Sequence, residues 1–367
     1  MRYIAWILSF GAILSAFTST AVAVVMSDRV SVNGVLAAAV QCPSLSGGTG
    51  VDTACGEALL FQPEISFRPT VKDELFIKPG LAAGNGLNRT TPFQIAPWAV
   101  DMADDLTDIN GSGRNYLLTA WYRHNFTLAQ DNTIAAVIGI IDATEYLDNN
   151  VYANDPYTQF MNAAMTNGPN TFVPSYDLGA ALEWNIDNWS IHSVVMDVSQ
   201  NIDDNEYIFY GLQLGYRLET ELGEGNYRLL LDGTSNDFLD VSGTSNTQHL
   251  FVVVSIDQEI GDTVGVFLRL GWQDESPMIN YHAIYSGGLD IKGMAWGRGE
   301  DNIGLGFARL EGGNQNIQRT QIAEGYYRLV FNNFFSLSAD VQYIQDTLKL
   351  GDGASSLIYG IRATVEF

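Results

Sequence analysis

The sequence predicts an all-β protein, a transmembrane antiparallel β-barrel of about 16 strands. Three observations predict it. Apolar and polar residues alternate in segment after segment, the connections between those segments are alternately short and long, and no stretch past the first two dozen residues is apolar enough for a membrane helix. Side chains along a strand point to opposite faces, so alternation gives one greasy face and one wet face. A composition that is 46% hydrophobic and only 16% charged fits apolar positions diluted by that alternation.

The chain opens on a segment that reads as an address. Arg2 precedes an apolar run from Ile4 to Phe17 and then Ala21-Val22-Ala23, a small-x-small cleavage pattern, so residues 1–23 are read as a signal peptide and 24–367 as the barrel. Export implies an oxidising compartment, in which Cys42 and Cys55, flanking a Gly/Ser/Thr-rich stretch, are expected to form a disulfide. His124, His192, His249 and His282 are scattered without ligand spacing, so no metal site and no cofactor are expected.

Strands are expected at 30–41, 58–68, 74–83, 114–127, 132–142, 175–185, 189–200, 205–219, 225–235, 247–258, 263–273, 282–292, 301–310, 319–331, 335–345 and 356–367. The clearest is Ile208, Tyr210, Leu212, Leu214, Tyr216 and Leu218, interleaved with Gly211, Gln213, Gly215, Arg217 and Glu219. Phe209, Phe267 and Ile358 interrupt the polar face singly. From the second strand onward every second connection is short, with Asn332-Asn333 a tight-turn signal. The long ones include 42–57, 84–113 and 143–174. That phase puts both termini on the short-turn side, as outer-membrane barrels require. Trp189, Trp272, Tyr327, Phe331 and Phe335, near strand ends, suit interfacial girdles. The last strand, Leu357, Tyr359, Ile361, Ala363, Val365 and Phe367 with polar residues between, ends on the aromatic that outer-membrane assembly machinery reads, so Phe367 is taken as the assembly signal.

A net charge of −24 argues against nucleic acid as a partner. Sixteen strands leave an aqueous channel rather than a lumen filled by side chains. If the alternation holds, the inward set includes Trp121, Arg123, Arg217, Arg228, Arg269, Glu324, Tyr326, Arg328, Arg362 and Glu366. Arginine suits a solute path because its five fixed donors can grip hydroxyls while the charge sets a field. Ser255 and Asp257 near His249, and His282 near Ser286, lack any nucleophile motif, so no enzyme is expected.

Residues 139–162, especially Tyr152-Ala153-Asn154-Asp155 and Gln159-Phe160-Met161-Asn162, resemble the characteristic stretch of the carbohydrate-selective (OprB-type) porins. So do Gly265 to Trp272, Tyr326-Tyr327-Arg328-Leu329, Asp340-Val341-Gln342-Tyr343 and Gly360 to Phe367. The resemblance covers the chain from about the fourth strand to the end. It implies a Gram-negative outer-membrane pore passing small sugars by facilitated diffusion, without covalent chemistry. It also favours a constricting role for loop 143–174, whose Asp148, Asn149, Asn150, Asn154, Asp155, Gln159 and Asn162 would face solute; otherwise these Asx residues only make turns in an external loop. Expected partners are outer-membrane lipid and lipopolysaccharide, small sugars and the barrel-assembly machinery; monomer and trimer both stay open. The rival readings are a general or anion-preferring porin and a structural or receptor barrel. The acidic segment 84–113, with Asp101, Asp104, Asp105 and Asp108, has no counterpart in the resemblance.

Overall fold

The computed structural model describes residues 24–27, 29–46, 54–88, 90–168, 173–200 and 205–367; the expected signal peptide lies outside them. The barrel strands are β1 (Val30–Ser46), β2 (Gly56–Phe67), β3 (Asp73–Pro79, resumed at Leu81–Ala83), β4 (Leu117–Ala129), β5 (Asn132–Asp142), β6 (Ser175–Ile186), β7 (Trp189–Val198) and β8 (Tyr207–Thr220). They continue as β9 (Gly223–Thr234), β10 (Leu250–Ile260), β11 (Val264–Gln273), β12 (Tyr281–Lys292), β13 (Asn302–Gly312), β14 (Ile317–Asn332), β15 (Phe335–Leu348) and β16 (Ala354–Glu366). Each pairs antiparallel with its neighbours, and β16 returns to β1 from Val35↔Glu366 to Ser46↔Ser355, so the sheet has no free edge. A short strand, Val24–Ser27, adds to β1 beyond the end of β16.

The sixteen strands are those the alternation predicts, and their shifted ends have local causes. β1 continues past residue 41 because its ladder with β16 runs on from Cys42↔Tyr359 to Ser46↔Ser355, while its ladder with β2 ends at Gln41↔Gly56 and Cys42 and Cys55, the residues just beyond, are bonded with Cα atoms 4.1 Å apart. β3 breaks at Pro79-Gly80, where proline has no N–H for the ladder and Gly80 N donates instead to Tyr116 O at 2.8 Å. Tyr116, at φ 60°, turns the chain so that β4 starts at Leu117 rather than 114. Asn246–Thr247 pairs with Phe238–Leu239 in a small hairpin above the rim, which delays β10 to Leu250.

The outward face carries exposed apolar side chains around the whole wall, from Leu59 and Ile77 through Ile138, Leu182, Leu212, Leu231 and Leu268 to Phe307, Val341 and Ile361. An apolar belt of this extent is the surface that a bilayer, not water, solvates. Trp272 meets Tyr285 at its loop-side edge. Trp189 on Tyr216, Trp296 on Tyr327 and Phe331 on Phe335 mark its turn-side edge. At the seam, Gly34 and Phe367 exchange backbone hydrogen bonds of 3.0 and 3.1 Å, and the Phe367 ring stacks 6.0 Å from Phe61. Any Cβ on Gly34 would sit 2.5 Å from Gln62 O.

Candidate functional site

Two loops fold into the lumen. The first is the one expected, following β5. It enters through Asp142, whose carboxylate accepts from Thr144 N and the Ser175 hydroxyl. Leu147 then packs in a buried cluster with Phe209, Leu230 and Val253 of the wall. Asn150 donates to Ser255 and to Ile256 O. Tyr152 lies over Gly265, where even a single Cβ would fall 2.2 Å from its ring. Phe160 sits between Phe267 and Tyr326, centroids 5.5 and 5.1 Å away. Phe209, Phe267 and Ile358, which interrupt the polar face in sequence, are all fully or almost fully buried in the clusters that include loop residues. With Leu230, Val253, Ile322 and Ile344 they are apolar sockets in the wall beneath the loops.

Three inward charges clamp this loop. The Arg269 guanidinium, fully buried, pairs with Asp148 at 2.6 Å and donates to the carbonyls of Ala153, Met165 and Thr166. Arg362, equally buried, donates to Pro156 O and Gln159 O at 2.7 and 2.8 Å. The Glu324 carboxylate accepts from Met161 N and Asn162 N at 2.5 and 3.1 Å. Asn162 also caps the turn of helix Ala163–Thr166 and donates to Gln342. Backbone groups that a loop inside a barrel would otherwise leave unpaired are thus met by fixed side chains.

The loop's Asx residues do two things. Asp148, Asn150 and Asn162 are buried anchors. Asn154, Asp155 and Gln159 stay half-exposed and build a turn: the Gln159 side chain accepts from Asn154 N and Asp155 N and donates to Val151 O. The turn leaves Asn149, Asn154, Asp155 and Thr158 as the loop's partly open polar edge.

The second inserted loop is the acidic segment, residues 84–116. Pro97 O accepts from Gln41 and from Gln342, Trp98 Nε1 donates to Pro156 O at 2.9 Å, and the two loops exchange backbone bonds, Ala99 N to Met161 O and Ala163 N to Ala96 O. Asp101 accepts from Gln62 and from the Tyr176 hydroxyl at 2.7 Å. Burial pushes its carboxyl up to about 6. Glu145, 3.5 Å from the Lys78 ammonium, is pushed up to about 7 by burial and by Asp142, against the pull of that lysine. The sequence signal for this second insertion is its length; its anchors Trp98, Met102 and Leu106, buried here, follow no period.

Elsewhere on the wall inward charges pair with one another. Arg123 meets Glu183 and Arg228 meets Asp257, both at 2.5 Å; Arg328 meets Glu366 at 3.0 Å, Lys78 meets Glu64 at 3.4 Å, Lys292 meets Glu259 at 3.5 Å, and Arg217 meets Glu224 at 3.9 Å. Trp121 stacks on Phe76 at 4.6 Å, and Tyr326 is buried against Asp290 and Asn302. Below Asn149 a cleft of about 380 Å³ opens against β6–β9, lined by Asn185, Ser190, His192, Gln213, Arg217 and Arg228 among others. Its inward side chains are hydrogen-bonding groups, arranged on a rigid sheet.

A family model described as the carbohydrate-selective porin, OprB family, matches residues 81–367. An uncharacterized protein of Aquifex aeolicus (strain VF5) is 27% identical over 313 residues, 84% of this chain and 87% of its own length. Among solved structures, the high-pH structure of Pseudomonas putida OprB is similar with a TM-score of 0.72 at 14% identity, covering 94% of this chain and 95% of that one. The low-pH structure of the same protein gives 0.58 at 12%, covering 94% of each chain. An OmpT of Vibrio cholerae lacking loop L8 gives 0.55 at 13%, covering 93% of this chain and all of that one. At these identities the structural likeness carries the fold.

Proposed function

The chain belongs to the OprB family of carbohydrate-selective porins and is a sugar channel, and from that premise we propose that it lies in the outer membrane of a Gram-negative bacterium and passes neutral monosaccharides in preference to dipeptides or carboxylates of similar size. The observation that carries the preference is the pairing of six inward cations with acids along the wall. Paired charges offer donors and acceptors to hydroxyls at nearly zero net local charge, so a neutral polyol gains hydrogen bonds that a bare ion does not need.

Within that path the residues we assign to solute are those with open polar atoms: Asn149, Asn154 and Asp155 on the loop edge, and Arg123, Arg217, Arg228 and Arg328 on the wall. Arg269, Arg362 and Glu324 act through the loop they hold, because a side chain with no exposed surface cannot meet solute while the loop is seated. Liposome swelling with matched sugars, dipeptides and carboxylates tests the reading. Faster sugar entry is expected; equal rates, or strong phosphate selectivity, return the channel to the general or anion-preferring class.

The outward apolar belt supports the membrane placement, and the seam supports the assembly role of Phe367. Phe367→Asp puts a charge where the last strand closes on Gly34. Heat-modifiable migration should show loss of most folded barrel while export continues; normal folded yield would remove Phe367 from that role. Export through residues 1–23 predicts a mature N-terminus near Val24, readable by mass spectrometry.

A further inference from the structure

The outer wall is apolar almost to its loop-side rim, ending in Ile140 on β5, Leu178 on β6, Ile208 on β8 and Leu250 on β10, with the exposed acid Asp197 of β7 in register between Leu178 and Ile208. One sector departs from this. On β13–β16 the outward row above Phe307, Ala323, Tyr343 and Leu357 is Arg309, Gln321, Gln345 and Ser355, four residues in direct register. The row above that is Glu311, Arg319 and Thr347, again in register, and exposed Lys349 follows two residues past Thr347.

The cations here differ from those elsewhere in their partners. Arg309 is fixed by Glu311 two residues along the same strand, and Lys349 donates to Gly313 O, which holds it over the β13–β14 turn beside Arg319. The Arg319 side chain has no hydrogen bond or ion pair among the described residues, and its Nε is buried without a partner. Diagonal neighbours on adjacent strands lie roughly 7–8 Å apart, so the three cations form one short oblique line. In a chain of net charge −24 whose other described arginines and lysines lie in the lumen, in the inserted loops or at the turn side, this line is a concentration of positive charge on the lipid-facing wall at the outer rim.

We propose that this sector binds the phosphorylated headgroup of a lipid A-type glycolipid, one molecule of the outer leaflet against β13–β16. The proposal rests on the outer-membrane placement argued above. Arginine's planar fork matches phosphate oxygens two at a time. Gln321, Gln345 and Thr347 supply neutral donors and acceptors for the sugar backbone. Directly below, exposed Leu305, Phe307, Val341, Tyr343 and Leu357 give the acyl chains an apolar wall. A second copy of this chain is the less suitable occupant, because an acidic partner surface would have to bring its own apolar belt to the same height while leaving Arg319's charge matched.

The test uses folded, detergent-purified protein and three probes: bis-phosphorylated lipid A, its dephosphorylated form, and phosphatidylglycerol, read by native mass spectrometry. Lipid A should bind at 1:1 stoichiometry, at least tenfold more weakly to R319A and to R309A. Dephosphorylation should abolish binding, and R319K should recover part of it. Heat-modifiable migration confirms that each variant is folded, and sugar swelling rates should be unchanged, since none of these side chains faces the lumen. Equal lipid A binding by wild type and R319A overturns the proposal. So does equal binding of phosphatidylglycerol, or a variant that alters oligomeric state while leaving lipid binding intact. Failure of the sugar assay with lipid binding retained would count against the solute reading alone, and fractionation away from the outer membrane would remove the placement on which both stand.

Discussion

Arginine does two different jobs on the lumen wall, one beneath the inserted loop and one clear of it. Beneath the loop, Arg269 and Arg362 have no exposed surface and end their donors on loop carbonyls. Clear of it, Arg123, Arg217 and Arg328 keep between a fifth and a half of their side chains open and face acids across the wall. The difference is the loop. A guanidinium under a seated loop is consumed in satisfying backbone and sets the shape of the passage; one in water keeps spare donors and sets the field in it. Shape and field are therefore separable by mutation, and each substitution below is chosen to move one without the other.

The largest effect is expected from Arg269→Ala. It leaves Asp148 buried without its cation and frees three loop carbonyls, a loss on the order of 3–5 kcal/mol for a broken buried pair. The β-ladder is untouched, so the barrel should still migrate as folded while the loop leaves its seat. Single-channel conductance should rise severalfold and larger solutes should enter liposomes. Unchanged conductance would mean that the loop holds without its clamp.

Gly265→Val should act in the same direction and more weakly, because it changes shape with no change of charge. A Cβ at that position overlaps the Tyr152 ring, which has to move, and overpacking of this kind costs about 1–3 kcal/mol. Conductance should rise while the reversal potential stays at the wild-type value. A shift in ion preference here would show that loop position and field are not separable after all.

A third effect joins the two settings at Lys78, which meets Glu64 of the wall and Glu145 of the loop. Glu145 and Asp101 hold their protons up to about 7 and about 6 respectively. Acidification from pH 8 to pH 5 should then remove two negative charges beside the constriction, and the reversal potential should move toward anions with midpoints in that range. The stability sign is the reverse of the usual carboxylate case. The native state keeps protons that the unfolded chain has already lost, so this contribution is complete below the ordinary carboxylate range and is lost as pH rises through 6 to 7. Glu145→Gln should abolish the upper step; a titration identical to wild type would place the groups elsewhere.

The wall was legible because its pattern has a period of two and a lipid on one side, which leaves little freedom in which residues face out. The clear β8 alternation is reproduced residue for residue, with Tyr210, Leu212 and Leu214 exposed and Gln213 buried. The lumen was legible only in part. Phe209, Phe267 and Ile358 could be seen as interruptions, but a lone inward aromatic says nothing about what covers it. Arg269 and Arg217 look alike in sequence, each on the wet face of a well-patterned strand, and only the path of a distant loop separates a clamp from an open side chain. The insertion of 84–116 was hidden for the same reason: its anchors are non-local, and Trp98 finds Pro156 and Met161 O finds Ala99 N without any periodic signal. The disulfide was readable because its partners lie close in sequence in a chain whose opening segment reads as an export signal, and they sit just beyond the last rung between β1 and β2, Gln41↔Gly56.

The smallest effect, and the finest test of the comparison, is expected from Arg217→Ala. The pair with Glu224 spans 3.9 Å, and its side chains are 51% and 42% exposed, so its loss should cost about 0–1 kcal/mol at most and leave thermal stability nearly unchanged. The charge itself still matters, since it lines the cleft below Asn149 and its field reaches roughly 8–10 Å through physiological salt. Removing it leaves Glu224 unopposed in a water-filled passage. The reversal potential should therefore move toward cations, sugar entry should slow by less than about twofold, and both effects should shrink as ionic strength rises. Arg217→Lys should restore the ion preference but not the full sugar rate, because an ammonium keeps the charge and loses the planar set of donors. A large fall in stability or a jump in conductance from Arg217→Ala would place this residue among the clamps and dissolve the distinction between covered and open arginines.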